Sequence, residues 1–215
     1  MSVPFLAIVG TQSSGSSAIA GLAYHVGVWM GSRLGGRYGG NPDRRCGFED
    51  RAIYRLTISH CPDLCDQPRM VGDARRKLFA RIAELHREAE ERGTIAGAKL
   101  PRLSCLGDLL VEYCGDGLRV IGCNRPIEDA IRSIQRIRRR SRTDWAKHQR
   151  WMLDKKERFL AMIPPDRRLD VAYYDALQDP KREAMRIAEF LGLSPSEAQL
   201  EKAVRIVHPK MRHIR

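Results

Sequence analysis

The stretch that decides the fold is Phe5-Leu6-Ala7-Ile8-Val9-Gly10-Thr11-Gln12-Ser13-Ser14-Gly15-Ser16-Ser17. It combines an apolar strand with a Gly- and Ser-rich loop that opens a helix. Its second half matches the phosphate-binding loop (glycine, four residues, glycine, lysine, Ser/Thr) except that Ser16 replaces the lysine. Such a loop directs backbone N–H groups at an anionic phosphate beside the positive end of a helix. The missing lysine argues against the β- and γ-phosphates of ATP as the ligand.

Length and composition place limits on the architecture. The chain has 215 residues, of which 43% are hydrophobic and 30% charged, which predicts one domain over residues 1–215 with a substantial core. No apolar run approaches twenty residues, so no membrane span is expected. The chain enters its first strand without a secretory signal pattern, so we expect a cytoplasmic protein. The oligomeric state is left open by the sequence.

The six cysteines stand at irregular spacings. Cys61 and Cys65 have the spacing of half a metal site, but no second Cys/His pair completes it at zinc-finger spacing. We therefore expect reduced thiols and no metal.

The net charge is +12 and comes mostly from arginine. Such a charge favours a polyanionic ligand: nucleic acid, an acidic glycan or a multiply phosphorylated small molecule. The basic run Arg136–Arg142 contains no aromatic residue for base stacking and is expected at a helix end. We interpret it as a solvated face or a contact with an acidic ligand, with nucleic acid as the less favoured alternative.

Apolar periodicity predicts strands that alternate with helices. The expected strands are 5–9, 94–99, 118–123 and 169–174, and the expected helices are 16–25, 48–59, 70–92, 103–113, 126–137, 143–162 and 180–191, with a last helix capped at Ser194. This order predicts an α/β, three-layer P-loop fold with a central parallel sheet of four to five strands. Residues 27–45 are expected to form a mobile Gly-rich loop, and residues 208–215 a flexible tail.

Several short motifs follow the loop in a fixed order. The strongest is Cys123-Asn124-Arg125-Pro126, with Ser133 eight residues after Arg125; the others are Gly27-Val28-Trp29-Met30-Gly31, Gly47-Phe48-Glu49-Asp50, Lys99-Leu100-Pro101, Ala172-Tyr173-Tyr174-Asp175-Ala176-Leu177 with Asp179-Pro180, and Phe190-Leu191-Gly192-Leu193. In this order they resemble the sulfotransferase family of P-loop proteins, in particular its bacterial and phage branch.

The resemblance implies a transferase that moves a sulfuryl group from 3′-phosphoadenosine 5′-phosphosulfate (PAPS) to an acceptor hydroxyl, on a small molecule or a carbohydrate, without a metal. It implies that the loop holds the 5′-phosphosulfate and that Arg125 and Ser133 hold the 3′-phosphate. The implied loop residues are Gln12, Ser13, Ser14, Gly15, Ser16 and Ser17.

The catalytic groups are less marked in the sequence. The family has a basic residue at the loop position that Ser13 occupies here, and Lys99 is our candidate substitute because it ends a strand close to the loop. A lysine at a strand end also commonly pairs with a carboxylate. Glu49 is the candidate general base, expected with Asp50 at a helix start. The rival bases are His25, His60, His86 and His148, of which His86 and His148 are expected at the surface.

Two other functions remain open at this point. A P-loop kinase or NTPase would use ATP and magnesium. A catalytically degenerate sulfotransferase-like protein would bind an anionic partner without turnover.

Overall fold

The computed structural model describes residues 4–35, 41–42, 47–61, 64 and 70–207. The strands in chain order are β1 (Phe5–Val9), β2 (Leu34–Gly35), β3 (Glu49–Asp50), β4 (Ala96–Lys99), β5 (Leu118–Asn124) and β6 (Arg168–Ala172). The helices are α1 (Ser16–His25), α2 (Arg51–His60), α3 (Asp73–Glu90), α4 (Gly107–Cys114), α5 (Ile127–Ile137), α6 (Trp145–Ala161), α7 (Tyr173–Gln178), α8 (Pro180–Leu191) and α9 (Glu197–Ile206).

Four parallel strands form the central sheet, in the order β4-β1-β5-β6. Every residue of β1 is buried, as expected for a strand covered on both faces. Because side chains alternate along a strand, Leu6 and Ile8 pack into one core with α1, α8 and α9. Phe5, Ala7 and Val9 pack into the other core, with α3, α4 and α6. The predicted three-layer α/β fold is confirmed.

The register aligns the carboxyl ends of the strands on one edge of the sheet. Ile8 of β1 pairs with Lys99 of β4, Val9 pairs with Gly122 of β5, and Asn124 of β5 pairs with Ala172 of β6. The segments that follow these strands therefore start next to one another. This edge gathers the phosphate-binding loop, Lys99 and Arg125, and ligands of parallel α/β sheets bind at such an edge.

Several predicted element boundaries differ in the structure, and three of the differences change the type of element at those residues. The helix expected at 48–59 begins at Arg51, because Glu49 and Asp50 pair with Gly35 and Leu34 as strand β3. The helix expected at 103–113 is a 3-10 helix over Pro101–Leu106 followed by α4. The strand expected to end at Tyr174 stops at Ala172, and Tyr173 begins α7.

The cap of the last helix is also displaced. Ser196, not Ser194, caps α9: its hydroxyl accepts from the Gln199 N–H, and the Gln199 side chain accepts from the Ser196 N–H. The capping box predicted from the sequence was therefore wrong by two residues, because Ser194 and Ser196 are each followed three residues later by Glu or Gln and both satisfy the local pattern.

Part of the segment expected to be a mobile loop pairs with other strands. Trp29 bridges to Ala96, and Leu34–Gly35 is strand β2. Residues 36–40, 43–46 and 208–215 lie outside the described residues, as does Cys65. Within the described chain, Cys114 and Cys123 are free thiols, and no three potential metal ligands are grouped. The described helices include none with the length and apolar character needed to cross a bilayer.

Candidate functional site

The loop between β1 and α1 forms a tight turn with two left-handed residues. Ser13 has φ 60° and Gly15 has φ 90°, and the Ser14 N–H donates to the Thr11 carbonyl at 3.2 Å. Gly15 precedes α1 without supplying a side-chain cap. No side chain at Gly15 therefore caps the first N–H groups of α1. A helix start of this kind can bind an anion.

Both glycines that frame the loop have close neighbours. A Cβ atom on Gly15 would lie 2.0 Å from Cδ2 of Tyr173, and one on Gly10 would lie 2.4 Å from the Ser14 hydroxyl. Tyr173 therefore packs directly on the loop. Tyr173 belongs to one of the sequence motifs, but no role was predicted for it.

Two side chains from outside the loop bind its backbone. Gln149 of α6 accepts a hydrogen bond from the Gln12 N–H at 3.1 Å and donates one to the Gln12 carbonyl at 2.6 Å. Nη1 of Arg125 donates to the Ser13 carbonyl at 2.8 Å. Arg125 was predicted at the site, whereas Gln149 was missed. Its only signal in the sequence is an amide among the inward-facing residues of α6.

Lys99 lies beside the loop, as its strand-end position suggested. Its ammonium donates to the Ser17 hydroxyl at 3.2 Å and pairs with Glu49 at 2.9 Å. Lys99 is 2% exposed, so its charge is largely withdrawn from water. The structure therefore brings together Ser17, Lys99 and Glu49. The pairing of Lys99 with a carboxylate, considered from the sequence, is observed as well.

Asp50, the neighbour of Glu49, has a different partner set. One carboxylate oxygen accepts from the N–H groups of Ala52 and Ile53 and caps α2. The other accepts from Nε and Nη2 of Arg81 at 3.1 and 2.7 Å. Burial opposes the charge of Arg81, but hydrogen bonds to Asp50 and Glu84 outweigh it and raise the pKa of Arg81. Asp50 thus anchors the short strand that carries Glu49.

Arg125 packs on the rings of two tyrosines. The guanidinium carbon lies 4.9 Å from the centre of the Tyr173 ring and 5.8 Å from that of Tyr174. Nε and Nη2 of Arg125, and the hydroxyls of Ser14 and Ser133, are buried without a hydrogen-bond partner among the described residues. Buried polar atoms are nearly always paired, so these donors fit a polar ligand.

Ser133 is a buried residue of α5, and this helix contacts Tyr174 through Asp129. Asp129 stands one helical turn before Ser133 and accepts a hydrogen bond from the Tyr174 hydroxyl at 2.5 Å. Residues four apart share a helix face, so Ser133 lies on the same face of α5 as Asp129. Burial and the Asp129 hydrogen bond raise the pKa of Tyr174, and the same hydrogen bond lowers the pKa of Asp129. The phenol therefore stays protonated as the donor.

The histidines considered as rival bases have other surroundings. His148 is fully buried, with its ring centre 5.3 Å from that of Trp145 and 5.7 Å from that of Trp151, which corrects the expected surface position. His86 is stacked on Phe5, and burial lowers its pKa. His25 is within 3.2 Å of the Pro42 carbonyl. Helical periodicity placed His86 and His148 correctly in helices but could not show which neighbouring elements cover them.

A parallel sheet with a Gly- and Ser-rich loop between its first strand and first helix defines the class of P-loop-type α/β proteins. Residues 35–197 match the model of the sulfotransferase family. This chain therefore belongs to the sulfotransferase family and is a transferase. The match includes Glu49, Lys99, Arg125 and Ser133 and begins after the phosphate-binding loop. It decides against the kinase alternative.

Solved structures show the same fold at low sequence identity. The sulfotransferase domain of the Synechococcus PCC 7002 olefin synthase is 15% identical, with 99% of this chain and 82% of that one covered and a TM-score of 0.52. The sulfotransferase STF1 of Mycobacterium tuberculosis is 13% identical, with 95% and 71% covered and a TM-score of 0.56. The sulfotransferase STF9 of Mycobacterium avium is 13% identical, with 95% and 68% covered and a TM-score of 0.55. A comparison with curated protein sequences finds no match.

Proposed function

We propose that this protein transfers a sulfuryl group from PAPS to a hydroxyl group of a small-molecule or carbohydrate acceptor, and that residues 1–215 act as one sulfotransferase-like domain. The observation that carries the proposal is the set of buried, unpartnered donors on Arg125, Ser133 and Ser14 beside a glycine-framed loop. PAPS carries anionic groups at two separate positions, and these donors belong to two separate segments: the loop after β1, and the segment that leads from the end of β5 into α5.

The unpaired nitrogens of Arg125 suit a phosphate. Nη1 is used on the Ser13 carbonyl, whereas Nε and Nη2 together form one edge of the guanidinium. Such an edge offers two parallel N–H groups and matches phosphate oxygens bidentately. We assign this edge and the Ser133 hydroxyl to the 3′-phosphate.

The loop is assigned to the 5′-phosphosulfate. Its residues Gln12 to Ser17 would hold that group through backbone N–H groups at the start of α1 and through the serine hydroxyls. Ser13 brings no positive charge, and in this proposal the buried ammonium of Lys99, bound to Ser17, supplies it. Charge matched to the developing negative charge is the usual means of stabilising such a transition state.

PAPS supplies the activated sulfuryl group, whose bond to the phosphate breaks as the bond to the acceptor oxygen forms. Glu49 is the proposed general base that takes the acceptor's proton. Its carboxylate is 2.9 Å from the Lys99 ammonium, which holds it beside the loop. No step in this scheme requires a metal.

Calorimetry with the reaction product 3′-phosphoadenosine 5′-phosphate (PAP) tests the binding proposal. We expect PAP to bind more tightly than AMP without magnesium, because only PAP reaches Arg125 and Ser133. R125M is expected to remove most of this preference while the protein stays folded. Equal affinity for PAP and AMP, or a requirement for ATP and magnesium, would contradict the proposal.

Turnover separates an active enzyme from a degenerate one. The assay follows release of PAP from PAPS in the presence of hydroxyl acceptors, including carbohydrates. Tight PAP binding with no acceptor-dependent release would support an anion-binding protein without catalysis.

A further inference from the structure

We propose that Gln149 is a positioning residue that preorganises the phosphate-binding loop from outside it. Gln149 lies on α6, 137 positions from Gln12, and both atoms of its amide bind the backbone of that one residue. The inference rests on the proposed function for the identity of the anion that the loop receives.

The loop needs such a restraint because its backbone is strained. Ser13 adopts φ 60°, a left-handed conformation that non-glycine residues avoid. The peptide group before Ser13 is held through Gln12 by Gln149, and the carbonyl of Ser13 is held by Arg125. Hydrogen bonds on both sides of the strained residue thus come from α6 and from the residue after β5.

Because Gln149 is buried, the hydrogen bonds of its amide depend on the conformation of the loop. Gln149 is 0% exposed, and the adjacent His148 and Met152, one turn further along α6, are buried as well. A buried amide is costly unless both its oxygen and its nitrogen are hydrogen-bonded. The Gln12 backbone satisfies both atoms in this loop conformation. A different loop conformation would leave the buried amide unpaired.

The consequence for binding is preorganisation. A loop that already has its bound shape does not lose freedom when the anion binds, so its affinity is higher. This arrangement restrains the loop through its backbone, and it is independent of the side chains within the loop. It therefore suits a loop whose usual basic positions are occupied by Ser13 and Ser16.

The test compares Q149M with Q135M in the full-length chain. Methionine has a similar length and no amide, and Gln135 is an exposed residue of α5 that serves as the matched control. Amide hydrogen exchange is measured without ligand on peptides covering residues 10–17, with β5 as the internal reference. PAP affinity is then measured by calorimetry. We expect Q149M to speed exchange in the loop at least about tenfold over β5 and to weaken PAP binding about tenfold, with Q135M unchanged.

Each outcome bears on the inference separately from the proposed function. The inference is wrong if amide hydrogen exchange of the loop in Q149M is as slow as in the wild type, or if it speeds up only as much as exchange in β5. In either case Gln149 merely fills the core. If the wild type does not bind PAP, the proposed function fails, while the exchange of the ligand-free loop still decides the role of Gln149. Should Q149M not fold, Q149N replaces it: its side chain is polar but one methylene shorter, so it cannot keep both hydrogen bonds to the Gln12 backbone. Faster loop exchange in Q149N supports the inference, and unchanged exchange overturns it.

Discussion

Gly15 combines two constraints in a single residue. Its φ of 90° disfavours any side chain, and Tyr173 occupies the space of a Cβ atom. We expect G15A to lower the free energy of unfolding by about 3 kcal/mol. Two costs add: the strain of a left-handed backbone at a non-glycine residue, and the displacement of the Tyr173 ring. PAP affinity should fall at least about tenfold, since the loop is preorganised for binding. Urea unfolding and calorimetry provide the two measurements.

Gly192 is the matched control for this substitution. It also has a left-handed φ, 66°, but nothing lies within 4 Å of its Cβ position. G192A should therefore lower the free energy of unfolding only by the strain of the left-handed backbone, about 1 kcal/mol, and should leave PAP binding unchanged. Equal losses of stability in the two variants would mean that the contact with Tyr173 is unimportant.

Lys99 has both a structural and a proposed catalytic role. K99M removes the buried counterion of Glu49, so we expect a loss of about 3 kcal/mol in unfolding free energy. If Lys99 supplies the missing loop charge, kcat should also fall about 100-fold or more. The measurements are urea unfolding and acceptor-dependent PAP release.

A double variant separates the two roles of Lys99. K99M/E49Q no longer contains an uncompensated carboxylate, so it should recover much of the stability lost in K99M but none of the activity. A kcat of K99M within twofold of the wild type would contradict the proposed role.

At the scale of elements, β5 contains a buried thiol, Cys123, and α4 a half-buried one, Cys114. Burial raises the pKa of Cys123 and of Cys114 from 9.0 to about 12. The native state therefore retains these protons at a pH at which the unfolded chain has lost them. Their contribution to stability is complete below about pH 9 and is lost as the pH rises toward 12.

The prediction concerns the slope of stability against pH. Urea unfolding at several values between pH 8 and 11 should show a steeper decline for the wild type than for C114A/C123A. Both proteins contain the same lysines and tyrosines, so the difference between the slopes isolates the two thiols. Parallel slopes would show that these thiols ionise alike in the folded and unfolded states.

The elements also show where sequence reasoning succeeded and failed. β1, α1 and β5 were predicted closely, because a continuous apolar run or a helical stripe marks each of them. The helix expected at 48–59 was placed too early, because the pairing of β3 with β2 overrides the local preference of Glu49 and Asp50. Strand pairing depends on a partner distant in the sequence, which periodicity does not contain.

At the scale of the whole molecule, the net charge of +12 raises the question whether the protein binds nucleic acid. Arg138, Arg139 and Arg140 are exposed in the turn after α5. We expect them to bind DNA only non-specifically, with an affinity that falls steeply between 50 and 200 mM salt. Fluorescence anisotropy with a short duplex, at several salt concentrations, measures this for the wild type and for R138Q/R139Q/R140Q.

The same triple variant should retain its affinity for PAP. A matched variant, R75Q/R76Q/R87Q, removes three arginines from α3 and controls for net charge. If only the α5 variant loses DNA affinity, and if the wild type binds DNA tightly at 200 mM salt, a nucleic-acid function would replace our interpretation of a solvated face.

The sequence by itself determined the loop, the alternation of strands and helices, and the positions of Lys99, Arg125 and Ser133. These follow from patterns within one or two neighbouring elements. Only the tertiary structure decided that Gln149 binds Gln12, that Lys99 pairs with Glu49, and that Tyr173 packs on Gly15. Each of these contacts joins residues at least fifty positions apart. Their physical basis is the parallel sheet, which aligns the ends of β1, β4, β5 and β6 on one edge and so brings distant segments together.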